Sequence, residues 1–443
     1  MQIKKEKLWN MFAFLFGVLS CNNIIYLFKV GNTYINIIYT LSSIFILFVF
    51  LTKSNVIVNT FKIFSKYLLI FSILVFLSFI PMILVSKSDS DYITTFFNGQ
   101  LSYFLNIILY FSYLLLRDNK KSLLDGVWIG FSINIFFSLL SYFLFKSGNY
   151  FSLYNYFPQP AFAMPVPWQS ANELGLINDN LKVIFSYRAQ GLFLETSHYV
   201  AFLVGTFLLF WDYIKPSFFK KVVYIACLFL TIISWSANLV TLTFVILVYM
   251  IRCNKISIYK LINRKILVLK ASLFFIGCSF LILILFLNID RLSFLFQSND
   301  FLESLIESFK TANLADSSNS ERFTNMLLGY NLVWKYPFGV GYNMVPSLLM
   351  NEYSLRVYST FNHLITTQLE LGFLGTLVYC SIILSLSIPL LKRGRSIYQV
   401  ALGVSVLGVF ICQVANGIKY FPFILLLFAL ASMEIDNIRI KRH

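Results

Sequence analysis

The chain has 443 residues, of which 58% are hydrophobic and 12% are charged, and its formal net charge is +16. Soluble domains contain about 25% charged residues, so this composition excludes a soluble globular protein. A basic balance indicates a nucleic-acid partner only where the basic residues are clustered on one surface, and here they recur between apolar segments instead.

Apolar segments long enough to cross a bilayer recur along the whole sequence, and we predict about twelve spanning helices of roughly 20 residues each. The pair at 222–251 is separated by SWSAN, and one long helix there would invert the topology of everything after it. The predicted spans are 9–28, 34–52, 67–85, 101–116, 127–145, 192–213, 222–236, 237–251, 267–287, 371–391, 397–414 and 417–433.

The distribution of charge sets the orientation of these spans. With the N-terminus inside, 23 of the 35 Lys and Arg fall in predicted cytoplasmic segments. This is the positive-inside pattern of a multi-pass protein of a cytoplasmic membrane. We therefore expect both termini in the cytoplasm, the lipid bilayer as the surroundings and no nucleic-acid partner. The chain is predicted to form a single all-α integral membrane domain over 1–443.

Two loops are much longer than the others, at 146–191 and 288–362, and both are external under this topology. The first contains YFPQPAFAMPVPW, and the second contains the amphipathic stretch FLESLIESFKTANL at 301–314. A further helical candidate, RFTNMLLGYNLVW at 322–334, ends at the breaker KYPFGVG. Long loops of this kind are usually functional or disordered, and aromatic, amphipathic ones favour a cover over a site at the membrane surface.

Ionisable residues gather in the segments that border these loops. Ionisable groups at membrane depth are costly and therefore indicate function. Each also has an ordinary explanation: arginines reach lipid headgroups, a Glu–His pair joins two helices, and aromatic residues anchor at the interface. The candidate residues are Tyr187, Arg188, Glu195, His198, Arg322, Trp334, Arg356, His363 and Glu370.

Six cysteines without paired spacing indicate neither a disulfide framework nor a metal site. The DSD sequence at 89–91 lies in a short loop and keeps a metal-dependent variant open. We expect no metal and no cofactor.

Three motifs resemble the bacterial O-antigen polymerase and O-antigen ligase superfamily. Its marks are an arginine followed by a glycine before a mid-chain helix, an arginine-led P-x-G-x-G segment in a large outer loop, and a histidine that opens a helix with E-x-G-x-x-G. One departure is Trp235, which stands where many relatives carry the arginine of a T-x-S-R turn. The matching residues are Arg188 and Gly191; Arg322, Pro337, Gly339 and Gly341; and His363, Glu370, Gly372 and Gly375.

GLFLETSHYVAF at 191–202 is similar to the G-x-F-x-E-P-S-H sequence of polysaccharide polymerases, with Thr196 in place of proline. The resemblance implies a GT-C-like membrane fold and a metal-independent transfer of glycan from an undecaprenyl diphosphate carrier to a sugar hydroxyl of a second lipid-linked unit. A membrane protein that regulates chain length is the implied protein partner. The abundance of Ile, Asn, Lys and Phe is typical of proteins encoded in AT-rich surface-polysaccharide gene clusters.

For this reaction we expect His363 to act as the general base on the external side, since a histidine titrates near ambient pH. Arg188 and Arg322 would stabilise the diphosphate, because a guanidinium binds phosphate oxygens in pairs, with Arg356 as a weaker third. Glu370 lies two turns from His363 and is expected to brace neighbouring helices. Tyr187, Glu195, His198 and Trp334 are the remaining candidates for substrate contacts.

Two alternatives stay open from the sequence. A ligase would transfer finished polymer to a lipid A core or to a protein. A transporter or flippase for lipid-linked sugars would place ionisable residues near the bilayer midplane and show repeats between its halves. The charged residues of this chain gather at one face instead, which favours transfer over transport.

Overall fold

The computed structural model describes most of the chain as helix. The described residues are 2–30, 33–52, 54–61, 63, 65–86, 90–146, 191–193, 196–211, 213–233, 238–253, 318–353, 360–394, 396–419 and 421–440. Their helices are α1 (Gln2–Leu19), α2 (Ile37–Thr52), α3 (Ser54–Phe61), α4 (Lys66–Leu77), α5 (Phe79–Ser86), α6 (Ser90–Leu115), α7 (Lys120–Lys146), α8 (Thr196–Leu209), α9 (Phe218–Ile233), α10 (Asn238–Arg252), α11 (Ser318–Lys335), α12 (Val345–Tyr353), α13 (His363–Arg393), α14 (Ile397–Asn416) and α15 (Pro422–Ile440).

Several of these helices have the length and composition of membrane spans. Four helical stretches of the described part qualify, at Lys66–Val85, Arg117–Leu144, His363–Arg393 and Ile397–Asn416. A fifth would join α2 to Asn55–Phe61, a helix pair bent by 118°. At 1.5 Å per residue, the 20 residues of α14 extend about 30 Å, which matches the hydrocarbon thickness of a bilayer. The chain is therefore a mostly helical membrane protein.

Some predicted span boundaries are wrong. The segment 9–28 is not one helix: α1 ends at Leu19, and a two-stranded antiparallel hairpin follows, β1 (Tyr26–Val30) and β2 (Thr33–Asn36). The polar residues Ser20, Asn22 and Asn23 follow the end of the helix, and the GN sequence at 31–32 is typical of a two-residue hairpin connection. The span predicted at 34–52 accordingly begins as a strand and becomes helical at Ile37.

Other boundaries shift as well, and α6 and α7 are longer than predicted because polar residues continue each helix beyond its apolar part. The helices predicted at 101–116 and 127–145 begin earlier, as α6 and α7, and the one predicted at 192–213 is the shorter α8. The last predicted span, 417–433, begins only at Pro422, because Gly417 ends α14 with a left-handed conformation (φ 66°). The segment 222–251 does form two helices, α9 and α10, and the segment 267–287 lies outside the described residues.

The helices form one packed bundle around α14 and α15. α14 contacts α8, α10, α13 and α15, and α15 contacts α6, α13 and α14. Every residue of α15 from Pro422 to Ile435 is buried. On one flank, α1 packs along α7 at Gly126, where an added Cβ would come within 2.1 Å of the Phe14 carbonyl oxygen. Small residues spaced four apart, as in GVWIG at 126–130, allow this close helix contact.

The predicted cytoplasmic segments meet at one end of the bundle. The Arg252 Nε donates to the Leu391 carbonyl (2.5 Å), and Arg117 forms an ion pair with Asp436 (2.7 Å). Nearby, Glu434 accepts from both Lys120 and Gln399, and Lys120 lies over the ring of Tyr398 (5.1 Å). We call these last four residues, Lys120, Tyr398, Gln399 and Glu434, the Lys120 cluster.

Candidate functional site

At the other end of α14, helix α13 is broken at Gly372, whose backbone (φ 72°, ψ −174°) is not helical. The segment that follows α11, 336–344, pairs with the backbone at this break. Val340 N–H donates to the Leu369 carbonyl (2.8 Å), and Gly341 N–H donates to the Glu370 carbonyl (3.1 Å). Phe373 N–H donates in return to the Pro337 carbonyl (3.2 Å). The segment thus supplies the partners that backbone groups lose where a helix is interrupted.

Glycine is required on both sides of this contact. Gly339 (φ 87°) and Gly372 (φ 72°) occupy the left-handed region, which is costly for other residues. A Cβ at Gly339 would lie 2.6 Å from the Glu370 carbonyl oxygen, and a Cβ at Gly372 would lie 2.6 Å from the Pro337 carbonyl oxygen. The P-x-G-x-G and E-x-G sequences are therefore complementary halves of one structural unit.

A lysine that no motif contains completes this unit. The Lys419 ammonium donates to Glu370 Oε1 (2.8 Å) and to Asn343 Oδ1 (3.2 Å), and it lies 5.6 Å from the ring centre of Tyr342. The Glu370 side chain is only 4% exposed, whereas that of Lys419 is 37% exposed. Burial raises the pKa of the Tyr342 phenol, and the nearby Glu370 raises it further. We call Tyr342, Asn343, Glu370 and Lys419 the Lys419 cluster.

His363 begins α13 and is buried. Asn362 caps the helix, since its side-chain oxygen accepts from the backbone N–H groups of Leu364 and Ile365 (3.0 and 3.2 Å). His363 is 4% exposed, and its imidazole meets the ring of Tyr379 edge-on, with 4.8 Å between ring centres. A small molecule could therefore contact this imidazole only if neighbouring side chains moved.

Backbone strain surrounds the start of α13. The two non-glycine residues with positive φ among the described residues are Phe361 (φ 52°) and Asn343 (φ 65°). Asparagine adopts this conformation readily, but a bulky phenylalanine is an outlier. Phe361 lies against Gly417, where an added Cβ would come within 2.8 Å of the Phe361 Cα. Such strain concentrates at functional sites and persists only where packing enforces it.

The helix that carries Arg322 packs against this region. The side chain of Arg322 lies outside the described part, but its backbone belongs to α11, which contacts α13. One turn later, Met326 Sδ accepts from the Asn362 side chain at 3.9 Å. Arg322 and His363 therefore lie on neighbouring elements.

The remaining predicted site residues divide into three groups. Glu370 forms an ion pair with Lys419 that joins α13 to the segment before α15, and its expected bracing role stays a prediction. Trp334 is 65% exposed and contacts Phe373 (5.9 Å between ring centres), while the His198 ring lies 5.8 Å from that of Phe421. Their roles toward substrate stay predictions. Tyr187, Arg188, Glu195 and Arg356 lie outside the described residues.

The sequence interpretation missed Lys419, Asn343 and Asn325. A lysine between two apolar helices, in GIKYFP at 417–422, is itself a signal. Asn325 is fully buried on α11, and within the described part of the chain neither side-chain nitrogen nor oxygen has a hydrogen-bond partner. A buried amide without partners is rare and costly, so it needs an explanation. Among the described residues, no group of three His, Cys, Asp or Glu is placed to hold a metal ion.

An apolar cavity, open to the outside of the bundle, reaches the Lys419 cluster through one wall residue, Tyr103. It has a volume of about 500 Å³ and is lined by residues of α2, α3, α4 and α6, including Phe50, Phe76 and Tyr103. The ring of Tyr103 also contacts that of Tyr342 (5.4 Å between centres), so one tyrosine belongs both to the cavity wall and to the border of the cluster.

No protein-family model matches this chain, and a search of curated proteins finds no match. The resemblance stated above therefore rests on the three motifs and their order along the chain.

Proposed function

We propose that this chain is a membrane glycosyltransferase that polymerises the repeat units of a bacterial surface polysaccharide, such as O-antigen or capsule. It acts at the external face of the cytoplasmic membrane, with about twelve spans in a GT-C-like arrangement and both termini in the cytoplasm. The donor is an oligosaccharide on undecaprenyl diphosphate, and the acceptor is a sugar hydroxyl of a second lipid-linked unit.

One observation carries the proposal. Two motif segments, P-x-G-x-G at 337–341 and E-x-G at 370–372, are joined by backbone hydrogen bonds at a break in a membrane-sized helix. Nothing in the sequence alone requires two segments about thirty residues apart to fit each other through their glycines. The fit is what a shared site at the membrane surface needs, because irregular backbone at membrane depth is tolerated only where it is covered by protein or lines a cavity.

The surroundings suit a substrate that is part lipid and part sugar. Apolar helices long enough to cross a bilayer carry the site at one of their ends. The 500 Å³ cavity offers apolar walls next to a cluster of polar groups. A lipid-linked sugar needs both environments within the length of one molecule.

In the proposed reaction, the acceptor hydroxyl transfers its proton to the His363 imidazole as its oxygen attacks the anomeric carbon of the donor. The bond between that carbon and the phosphate oxygen breaks, the configuration inverts, and undecaprenyl diphosphate leaves. Arg188 and Arg322 stabilise the charge that develops on the leaving diphosphate. A positioned base contributes about 10² to 10⁴ in rate.

The test is complementation of a strain that lacks the native gene, with gel analysis of its surface glycan. His363→Ala should abolish long-chain glycan while the protein is still present in the membrane at normal levels. The matched control is His443→Ala, because His443 is the third histidine of the chain and belongs to none of the motifs. Normal chain length in the His363→Ala strain would contradict the proposed base.

The deletion strain itself separates the three functions. Loss of a polymerase leaves single repeat units attached to their acceptor, and loss of a ligase leaves polymer unattached. Loss of a transporter leaves lipid-linked units on the cytoplasmic side, where an external glycosidase cannot reach them. Only the first outcome supports the proposal, and a chain-length regulator would be sought by co-purification afterwards.

A further inference from the structure

We infer that Lys419 is an anion-binding residue of this site and contacts the diphosphate of the lipid-linked donor. The inference rests on the proposed function, because it names the part of the donor that Lys419 meets. It adds to Arg188, Arg322 and the weaker candidate Arg356 a further cation, one that none of the motifs contains.

The position of Lys419 is fixed by the elements that build the site. Its ammonium is held by Glu370 on α13 and by Asn343 at the end of the segment paired with the helix break. The backbone just before it, at Gly417, lies against Phe361, two residues from His363. Lys419 is therefore linked by direct contacts to the elements that carry the proposed base.

In the ion pair between Lys419 and Glu370, the cation is the more exposed partner, as binding of an anion requires. The carboxylate of Glu370 is buried, while more than a third of the Lys419 side chain is exposed. An ammonium has three N–H donors, and Glu370 and Asn343 accept two of them. Glu370 thus acts as a positioning residue, and the partly exposed Lys419 side chain has a third N–H donor for an incoming phosphate oxygen. Charge-assisted hydrogen bonds of this kind are among the strongest in proteins.

The apolar cavity lies on the other side of the same aromatic pair. The Tyr342 ring contacts Lys419, and the Tyr103 ring contacts Tyr342 while lining the cavity. A lipid diphosphate would place its charged group at the ammonium and its chain toward the apolar wall. Free pyrophosphate has no such chain, and a phospholipid has a single phosphodiester, so the three sources can be distinguished by binding.

The experiment measures binding of undecaprenyl diphosphate to the full-length protein in phosphatidylcholine nanodiscs, with inorganic pyrophosphate and phosphatidylglycerol as competitors. Lys419→Met alone would leave Glu370 buried without its partner and could impair folding. The decisive variant is therefore Lys419→Met combined with Glu370→Gln, which removes both charges together. Lys419→Arg tests whether the cation itself is sufficient.

The Lys120 cluster provides a matched control. Lys120 and Glu434 are 30% and 5% exposed, nearly the values of Lys419 and Glu370, and they lie at the opposite end of the bundle. Lys120→Met with Glu434→Gln removes an equivalent pair of a partly exposed lysine and a buried glutamate. It should bind the probe as the wild type does.

We expect Lys419→Met/Glu370→Gln to weaken binding of the probe about tenfold or more, the size of one charge-assisted hydrogen bond. Lys419→Arg should stay within about threefold of wild type, since it keeps a phosphate-binding cation. Wild-type affinity in the double variant would overturn the inference, as would equal competition by phosphatidylglycerol, because Lys419 would then be a general headgroup contact. Competition by pyrophosphate at a much lower affinity would support it.

This result is separable from the proposed function. If the wild type binds the probe through Lys419 but the deletion strain still makes long-chain glycan, the polymerase proposal fails while the anion site stands. If the chain polymerises and the double variant binds and polymerises normally, only the assignment of Lys419 fails.

Discussion

The Lys419 and Lys120 clusters contain the same chemical groups at opposite ends of the bundle. Each combines a lysine, a nearly buried glutamate, a tyrosine ring beneath the ammonium and a side-chain amide. The ammonium lies 5.6 Å from the ring of Tyr342 in one cluster and 5.1 Å from that of Tyr398 in the other. Chemistry alone therefore does not tell which cluster is functional.

The backbone distinguishes them. The Lys120 cluster is built on regular helix ends: Ser396 and Gln399 form a capping box at the start of α14, and Arg117 adds an ion pair with Asp436. The Lys419 cluster is built on a broken helix and on left-handed residues at Gly339, Gly341, Gly372 and Asn343. Regular backbone suffices to hold helices together. Irregular backbone carries a cost in stability, and a protein retains it where function requires it.

The largest expected effect comes from a substitution that the irregular backbone cannot accommodate. Gly372→Ala places a Cβ 2.6 Å from the Pro337 carbonyl oxygen and forces a left-handed alanine, so we expect a loss of about 2–4 kcal/mol in stability. Glycan polymerisation should fail as well. The measurements are Tm in detergent and the glycan ladder of the complemented strain.

Gly403→Ala is the matched control for Gly372→Ala. Gly403 lies inside α14, and an added Cβ would meet its nearest neighbour, the Cβ of Leu390, at 3.0 Å. If Gly403→Ala lowers the Tm as much as Gly372→Ala, the backbone break has no special status and the contrast between the two clusters is lost.

A smaller effect is expected in a comparison of two tyrosines, whose hydroxyl groups should contribute differently to stability. Tyr379 Oη donates to Gln413 Oε1 (2.6 Å), so Tyr379→Phe leaves a buried acceptor without its partner and should cost about 1–3 kcal/mol. Tyr398 Oη has no hydrogen-bond partner within the described residues, so Tyr398→Phe keeps the ring under Lys120 and should leave the Tm unchanged. Equal Tm values for the two variants would contradict this assignment.

The smallest effect concerns a third Lys–Glu–Tyr group, at the surface. Lys335 donates to Glu352 (2.6 Å), and Tyr336 Oη donates to the same carboxylate (2.5 Å). The hydrogen bond from Lys335, followed by that from Tyr336, lowers the pKa of Glu352. A carboxylate with a lowered pKa stabilises the fold above its ordinary pKa, and this stabilisation disappears as the pH falls through the lowered value.

Glu352→Gln should therefore lower the Tm by about 1 °C or less at pH 7, because exposed ion pairs contribute little. The difference from wild type should vanish at acidic pH, below the pKa of Glu352 in the folded protein. A difference that persists or grows on acidification would show that the pair acts through something other than the charge of Glu352.

Much of this arrangement could be predicted from the sequence, because the relevant signals are local. The end of α11 before KYPFGVG follows from breaker residues, and the two-helix form of 222–251 follows from SWSAN. The span predicted at 371–391 begins one residue before the break at Gly372. Hydropathy detects only the apolar part of α13, and the polar first part, with His363, is visible as a motif.

The rest depends on contacts between distant residues. Lys419 and Glu370 are 49 residues apart and meet only because α14 returns the chain to the same end of the bundle. The spacing of apolar residues along the sequence cannot predict this contact between distant residues. The β1–β2 hairpin was missed because tyrosine, phenylalanine and isoleucine serve strands and spanning helices equally, so composition cannot separate them.

The burial of α15 has a consequence for how the protein tolerates change. Pro422 to Ile435 meet only protein on every side, whereas α4 exposes Leu69, Ile73 and Phe76 to the surroundings. The two helices thus face different neighbours: α15 contacts a tightly packed protein interior, and the exposed face of α4 contacts fluid acyl chains. Exchanges among Leu, Ile and Phe should be accepted freely at the exposed positions of α4 and rejected along α15, so a saturation mutagenesis map would separate the centre of the bundle from its lipid-facing shell.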